Sequence, residues 1–183
     1  SAKLREKHPN LSIEIYSEST RAIARRLNDF SLDAGILYFD DGDPETTEKL
    51  YEERYVFIAP NSLTILKEKQ ITWEEVAQFP LCLLTQNMRN RQLIDQQFLE
   101  LGISPNIVTE ASDFTGVLAQ VALGNAATIA PVSVAETFLD LKSTVHLDLT
   151  HPVMIHSVGL SIKDQSPVLP IIKALRQAVK AAL

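Results

Sequence analysis

Two patterns of hydrophobic residues alternate along the chain. In one, every second residue is apolar; in the other, apolar residues recur three or four positions apart. The first pattern indicates a strand and the second a helix. The segment "LSIEIYS" (11–17) predicts a half-exposed strand, after which Ser19 or Thr20 begins a helix. Regular alternation of strand and helix predicts an α/β fold with mostly parallel sheets and right-handed crossovers.

The rest of the chain continues this order. Thr72 and Glu75 have the spacing of a capping box, which predicts a helix start. Ser112 or Asp113 begins another helix, and Gly124 ends it. The remaining predicted strands are "LDAGILYF" (32–39), "ERYVFIA" (53–59), "NIVTEA" (106–111), "ATIAP" (127–131), "TVHLDL" (144–149) and "VMIHSVGLSI" (153–162).

The segment "LCLLTQNMRNRQLID" (81–95) changes abruptly from apolar to polar. Its apolar run predicts a strand that is covered on both faces. Thr85, Gln86 and Asn87 can each cap the helix that follows, which Gly102 ends. Because such a helix directs free backbone N–H groups into a crevice at the strand end, we expect an anion to bind there. Simple helix capping is the alternative function of these three residues.

Arg89 lies in the first turn of that predicted helix. The helix dipole disfavours a cation there by roughly 0.3 to 1 kcal/mol. A bound anion would offset this cost, because a charge-assisted hydrogen bond contributes about 1.5 to 3 kcal/mol. The alternative is that Arg89 points into solvent or pairs with Asp95 or Glu100.

The chain has 183 residues, of which 45% are hydrophobic and 22% charged, and its net charge is −6. A surface that grips DNA phosphates needs clustered Lys and Arg, so this chain is not expected to bind DNA by itself. The sequence contains no apolar run long enough to cross a bilayer and no apolar stretch typical of a signal peptide. The single cysteine, Cys82, fits a reducing cytoplasm and is expected to be a small buried hydrophobe.

Motifs typical of catalysis do not occur in the sequence: it has no G-x-S-x-G, Gly-rich phosphate loop, H-E-x-x-H or paired C-x-x-C. His146 and His156 would lie about 33 Å apart on a continuous strand, at roughly 3.3 Å per residue. That is too far for one metal ion, and Pro152 interrupts the segment. We therefore expect no enzymatic activity, no cofactor and no metal site.

The ordered set of segments resembles the effector-binding domain of LysR-type transcriptional regulators. "LREKHPNLSIEIYSESTRAIARRLNDFSLDAGI" (4–36) is similar to the family's helix end, "HP", alternating strand, Ser/Thr-opened helix and "LDAGI" strand. Further segments in the family's order are "YEERYVFIAP" (51–60), "ITWEEVAQFPLCLL" (71–84), "LGISPNIVTEASDFTGVLAQVALGNAATIAPVS" (101–133) and "SPVLPIIKALRQAV" (166–179). The resemblance covers nearly the whole chain.

This resemblance implies two small α/β lobes like those of periplasmic binding proteins, joined by two crossover strands. Lobe I is expected to comprise residues 1–58 plus 155–183, and lobe II residues 59–154. A small effector, expected to be an organic anion, would bind between the lobes. The candidate effector-binding residues, taken from the helix starts and strand ends, are Ser19, Thr20, Tyr38, Phe39, Thr85, Gln86, Asn87, Arg89, Asp113, Phe114 and Pro131. For the aromatic residues among them, packing in the core is the competing interpretation.

The resemblance also implies a function. The chain is expected to be the sensor domain of a cytoplasmic transcription factor that forms homodimers or homotetramers. Such a protein contacts DNA through a separate N-terminal helix-turn-helix, which this sequence does not contain. Two other functions remain open on the same scaffold: a periplasmic-type solute-binding protein and an enzyme.

Overall fold

The computed structural model describes residues 2–39, 47–62, 69–138, 143–162 and 170–181. Its helices are α1 (Ala2–Lys7), α2 (Thr20–Asn28), α3 (Trp73–Val76), α4 (Arg89–Leu101), α5 (Phe114–Ala122), α6 (Val132–Phe138) and α7 (Pro170–Lys180). Its strands are β1 (Gly35–Tyr38), β2 (Thr47–Pro60), β3 (Gln70–Thr72), β4 (Leu81–Leu84), β5 (Ile107–Ala111), β6 (Thr128–Pro131), β7 (Thr144–Thr150) and β8 (Ile155–Ser161). Contacts divide the chain into unit 1 (Ser1–Glu52 with His156–Leu183) and unit 2 (Glu53–Ile155).

In unit 1, β1 pairs antiparallel with β8, so that Gly35 lies opposite Ser161. The helix α2 packs on β1, and Ile23 lies directly over Gly35. A Cβ atom at Gly35 would come within 2.5 Å of Ile23 Cγ2. Glycine at this position therefore lets the helix approach the strand closely.

The helix α7 is held in unit 1 by both apolar packing and charge. Leu160, Ile162 and Ile172 are buried together, which joins the end of β8 to α7. Glu48, near the start of β2, forms an ion pair with Arg176 of α7 at 3.5 Å. These contacts hold α7 against β8 and the start of β2 within unit 1.

Residues 11–19 form no strand in the structure, so the strand predicted from "LSIEIYS" is wrong. Ile13 and Ile15 are 39% and 85% exposed. Alternation of apolar and polar residues specifies two faces, but a strand also needs a neighbour to accept its backbone hydrogen bonds. The segment is instead tied to α2 by side chains: the Arg26 guanidinium lies 4.1 Å from the centre of the Tyr16 ring.

In unit 2, β2 pairs antiparallel with both β6 and β7, and Val56 lies between Ala130 and Asp148. β3 pairs with β7 in parallel, and β4 pairs with β5 in parallel. The α/β class is therefore confirmed, with mixed pairing in place of the mostly parallel sheets expected. A continuous apolar run shows that a strand is covered on both faces, but it does not determine the direction of the neighbouring strand.

The chain passes from unit 1 to unit 2 within β2, between Glu52 and Glu53, and returns between Ile155 and His156. The boundaries predicted from the family resemblance lie after residues 58 and 154. β2 is one strand of 14 residues, and a continuous strand carries no local signal for the point where its contacts change. The predicted lobe boundaries and this division by contacts differ most at β2.

Trp73 is fully buried in the core of unit 2. Its ring packs edge-on against Phe98 at 5.0 Å, and its Nε1 donates a hydrogen bond to Pro152 O at 2.9 Å. One side chain thus joins α3, α4 and the turn between β7 and β8. Across the described ranges, none of the helices has the length and apolar character required to cross a membrane.

Candidate functional site

The carboxyl ends of three strands of unit 2 lie at the same edge. β4 and β5 are parallel, with Leu84 opposite Ala111. Leu81 also forms a parallel bridge with Ala127, which immediately precedes β6. Thr85 follows β4, Asp113 follows β5 by two residues, and Pro131 ends β6, so these three predicted site residues are brought to one edge of the sheet. In parallel sheets this is the edge at which ligands bind.

Residues Thr85–Met88 form a turn between β4 and α4, closed by a hydrogen bond of 3.0 Å from Met88 N to Thr85 O. The helix begins at Arg89, its N-cap is Met88, and no side chain caps it. The prediction that Thr85, Gln86 or Asn87 caps the helix is therefore wrong. A capping side chain must reach the second or third amide of the helix from the residue just before it, and the turn places all three residues earlier than that.

The same turn leaves backbone donors available. The carbonyl of Gln86 accepts a hydrogen bond from Gln92 Nε2 at 3.1 Å, while the carbonyl of Thr85 accepts from Met88. Among the described residues, the N–H groups of Gln86 and Asn87 form no hydrogen bond, and both residues are exposed. Thr85 is half-buried. The turn can therefore donate two backbone hydrogen bonds to a bound group.

Arg89 is the first residue of α4 and is half-buried, so it does lie in the first helical turn, as predicted. Pairing of Arg89 with Asp95 or Glu100 stays a prediction. Contact between Arg89 and an anion stays a prediction.

Arg91, which the sequence analysis did not select, is the most buried charged residue of this region, with 4% of its surface exposed. Its Nη1 donates to Leu84 O at 2.9 Å and to Glu110 Oε1 at 2.5 Å, and its Nε donates to Asp95 Oδ1 at 2.8 Å. Burial acts to lower the pKa of Arg91, but the hydrogen bonds to the two carboxylates outweigh it and the pKa is raised. The spacing of Arg91 and Asp95, four residues apart on a helix, is the local signal that could have indicated this pair.

Asp113 caps α5, as predicted: its Oδ1 accepts from Gly116 N at 2.9 Å. Its other carboxylate oxygen accepts from Ser112 Oγ at 3.4 Å. Phe114 is partly buried and packs against two core clusters, which include Val117 and Leu118. The structure thus gives Phe114 a packing role in the core.

The predicted residues of unit 1 lie on two neighbouring elements. Ser19 is the N-cap of α2 and accepts from Ala22 N at 3.4 Å, which confirms the predicted helix start. Thr20 is the first helical residue, and both residues are half-buried. Ser19 therefore has a local capping role. Contact of Ser19 or Thr20 with an effector stays a prediction.

Tyr38 and Phe39 stand at the end of β1. The Tyr38 ring packs edge-on to His156, with the ring centres 6.5 Å apart. Phe39 N donates to Ser157 O at 3.2 Å, and the Phe39 ring covers Gly159, where a Cβ would come within 2.8 Å of it. These contacts support the packing interpretation for both aromatic residues, and contact with an effector stays a prediction.

Two further polar contacts, one buried and one partly buried, join elements of unit 2, and neither was predicted from the sequence. Asn90 Nδ2 donates to the hydroxyl of Tyr55 at 3.1 Å, which ties the start of α4 to β2. Ser133 Oγ donates to the carboxylate of Glu53, only 6% of which is exposed. Both pairs join residues far apart in sequence, so no local pattern indicates them. Within the part of the chain that the structure describes, no three His, Cys, Asp or Glu side chains are grouped to hold a metal ion.

Comparison with known proteins gives a consistent result. The family profile described as "LysR substrate binding domain" matches residues 1–183. A probable RuBisCO transcriptional regulator of Trieres chinensis is 26% identical over 149 residues, which are 75% of this chain and 48% of that protein. The chain spans between 38% and 51% of the length of the curated relatives that it matches.

Two solved structures with bound small molecules have a similar fold. The regulatory domain of Synechocystis PCC6803 CcmR, in complex with 2-PG, superposes with a TM-score of 0.84 at 11% identity, over 99% of this chain and 88% of that one. The effector binding domain of QuiR, in complex with shikimate, superposes with a TM-score of 0.78 at 19% identity, over 99% of this chain and 87% of that one. At these identities the likeness establishes the fold.

Proposed function

The chain belongs to the LysR substrate binding domain family, and we propose that it is the ligand-sensing domain of a LysR-type transcriptional regulator that binds a small anionic metabolite. The observation that carries this proposal is the family match over the whole chain. Two proteins of similar fold have small molecules bound, shikimate in one and 2-PG in the other. Several matching relatives are named as HTH-type transcriptional regulators, so contact with DNA is assigned to a part of the protein outside this chain.

We place the anionic group of the effector at the Thr85–Met88 turn. The turn lies at the carboxyl edge of β4, β5 and β6, and it offers the N–H groups of Gln86 and Asn87. The Thr85 hydroxyl adds a third donor beside them, and Arg89 supplies a positive charge at the start of α4. Arg91 is not counted among these groups, because its guanidinium is already paired with Asp95 and Glu110.

Sensing requires that the effector bind one arrangement of the protein better than another. We propose that this preference is transmitted through a homodimer or homotetramer, since symmetric self-association is the usual state of such soluble assemblies. The protein would act in the cytoplasm, where its DNA target lies. Sedimentation of the purified chain at high micromolar concentration tests the self-association.

The first experiment is a thermal-shift screen of small organic anions that includes shikimate and 2-PG. A compound present at about 100 times its dissociation constant stabilises the folded state by roughly 2.7 kcal/mol, which is a readily measured shift in Tm. Incubation of the bound compound with the protein should leave it chemically unchanged, as expected for a sensor. Turnover of the compound would favour the enzyme alternative.

The location of the site is tested with Thr85→Val, which keeps the shape of the side chain and removes its hydroxyl. We expect affinity for the compound found in the screen to fall about tenfold, which corresponds to about 1.4 kcal/mol. Thr109→Val, on the half-buried middle of β5, is the matched control and should bind normally. Normal binding by Thr85→Val would refute the placement of the effector at this turn.

A further inference from the structure

We propose that Arg91 is a positioning residue for the effector site: it holds the backbone of the Thr85–Met88 turn in the conformation that binds the anion, without touching the anion itself. This inference rests on the proposed function. The buried guanidinium of Arg91 donates a hydrogen bond to a backbone carbonyl, that of Leu84, at the point where the turn begins.

The peptide group between Leu84 and Thr85 is held on both sides. Its carbonyl accepts from Arg91 Nη1 at 2.9 Å, and its N–H donates to Ala111 O at 3.0 Å. A peptide group is planar, so fixing both its oxygen and its nitrogen fixes its orientation. The direction in which the chain leaves β4, and with it the position of the Thr85 side chain, follows from that orientation.

Arg91 also ties the turn to the two elements on either side of it. Its Nε bonds Asp95, one helical turn further along α4, and its Nη1 bonds Glu110 near the end of β5. The single guanidinium therefore joins the end of β4, the start of α4 and the neighbouring strand. These are the elements whose relative positions define the turn.

The chemistry of these bonds requires arginine. The planar guanidinium presents several N–H donors in a rigid fork, whereas the ammonium of lysine is one compact charge on a flexible stem. The side chains of Asp95 and Glu110 are 41% and 39% exposed, and that of Arg91 is 5% exposed. The carboxylates therefore retain access to water, while the buried end of the network lies at the carbonyl of Leu84.

The first test is Arg91→Lys, which keeps the positive charge and loses the fork. We expect amide hydrogen exchange of Thr85 and Met88 to become about tenfold faster or more, while amides of β7, away from the turn, keep their rates. Arg54→Lys is the matched control, because Arg54 pairs with Asp148 at 3.1 Å elsewhere in unit 2. It should leave the exchange of Thr85 and Met88 unchanged. Unchanged exchange at Thr85 and Met88 in Arg91→Lys would overturn the inference.

If Arg91→Lys does not fold, Glu110→Gln replaces it in the same measurement. This variant keeps the arginine but weakens the bond that aligns Nη1, so the same two amides should exchange faster and others should not. Retained protection at both amides would count against the inference equally. The exchange experiment needs no effector and decides whether Arg91 holds the turn even if neither shikimate nor 2-PG binds.

The second test links the turn to binding, with shikimate and 2-PG as the probes. Arg91→Lys should weaken binding about tenfold, whereas Arg54→Lys should not. The double variant Arg91→Lys/Thr85→Val should have no lower affinity than the single variant with the lower affinity, because both substitutions act on one contact. If Arg91→Lys exchanges faster but keeps its affinity, while Thr85→Val binds weakly, the role of Arg91 in binding is refuted and the proposed site stands.

If Arg91→Lys exchanges faster but Thr85→Val binds normally, the proposed site is refuted, while the conclusion that Arg91 holds the turn stands.

Discussion

Cys82 lies in β4 with none of its surface exposed, which confirms the prediction of a small buried hydrophobe. Burial raises the pKa of its thiol above the ordinary value, because apolar surroundings disfavour the charged thiolate. The thiolate is the form that reacts as a nucleophile or binds metals. Cys82 is therefore an inert packing residue in the native protein.

We predict that a thiol reagent such as DTNB reacts with native Cys82 at least about 100-fold more slowly than with the unfolded chain at pH 8, because reaction must await opening of unit 2. The rate should rise with pH, since the thiolate of the exposed Cys82 in the opened state becomes more populated as pH approaches the ordinary thiol pKa. Release of the coloured product during urea unfolding measures this. Because Cys82 is the only cysteine of the sequence, fast reaction of the native protein would contradict the prediction without ambiguity.

Among the helices, some starts are determined by residues close in sequence and others by the tertiary structure. Thr72 and Glu75 form the predicted capping box: Thr72 Oγ1 accepts from Glu75 N at 3.3 Å, and Thr72 N donates to Glu75 Oε2 at 2.8 Å. Thr85 was assigned the same capping role from its sequence, yet α4 begins beyond it with Met88 as N-cap. The two threonines therefore offer a direct comparison.

Thr72→Ala should lower the free energy of unfolding by about 0.5 to 2 kcal/mol, because the Glu75 N–H loses the side-chain oxygen that caps it. Thr85→Ala should have a smaller effect, because it removes no cap. Urea unfolding of both variants followed by Trp73 fluorescence measures the difference. An equal loss of stability in the two variants would mean that Thr85 has a capping function that the structure does not show.

Gly102 ends α4 in the left-handed region, with φ of 69°. A Cβ atom placed on it would meet no atom within 4 Å, so Gly102→Ala tests backbone strain alone. We expect a loss of about 1 to 2 kcal/mol in the free energy of unfolding. Gly102→Asn is the control, because asparagine tolerates this conformation better, and it should lose less. No loss in the alanine variant would contradict the expectation.

At the scale of the whole molecule, the net charge is −6, although the relatives are transcriptional regulators. Phosphate contacts supply most of the affinity for DNA and require clustered cations. Several cations of the described residues are already paired within the fold, including Arg26 with Glu18, Arg54 with Asp148 and Arg91 with two carboxylates. The charge of this chain therefore opposes contact with DNA.

We predict that the isolated chain binds no duplex DNA at physiological salt in a gel-shift or anisotropy titration into the micromolar range. The physical reason is electrostatic, so lowering the salt concentration should not produce specific binding either. A LysR-type regulator that includes its helix-turn-helix, titrated with its own operator, is the positive control. Sequence-specific binding by the chain alone would contradict both the charge argument and the division of roles proposed above.

The family segments, the α/β class and most helix ends could be predicted, because they depend on residues that are close in sequence. Ser19, Thr72 with Glu75, and Asp113 cap helices through contacts three residues long. Burial of the run that contains Cys82 was predictable as well, since a continuous apolar segment excludes water on both faces.

The tertiary structure alone decided the features that depend on distant partners. The strand predicted for residues 11–17 finds no pairing partner in the described structure, and β2 pairs antiparallel where parallel neighbours were expected. At the candidate site, the turn after β4 is held by Arg91, which bonds Glu110 from 19 residues away. Local sequence sets the capping and burial preference of a residue, but pairing direction and the partner of a buried charge are set by which segments meet in the fold, and no local pattern contains that information.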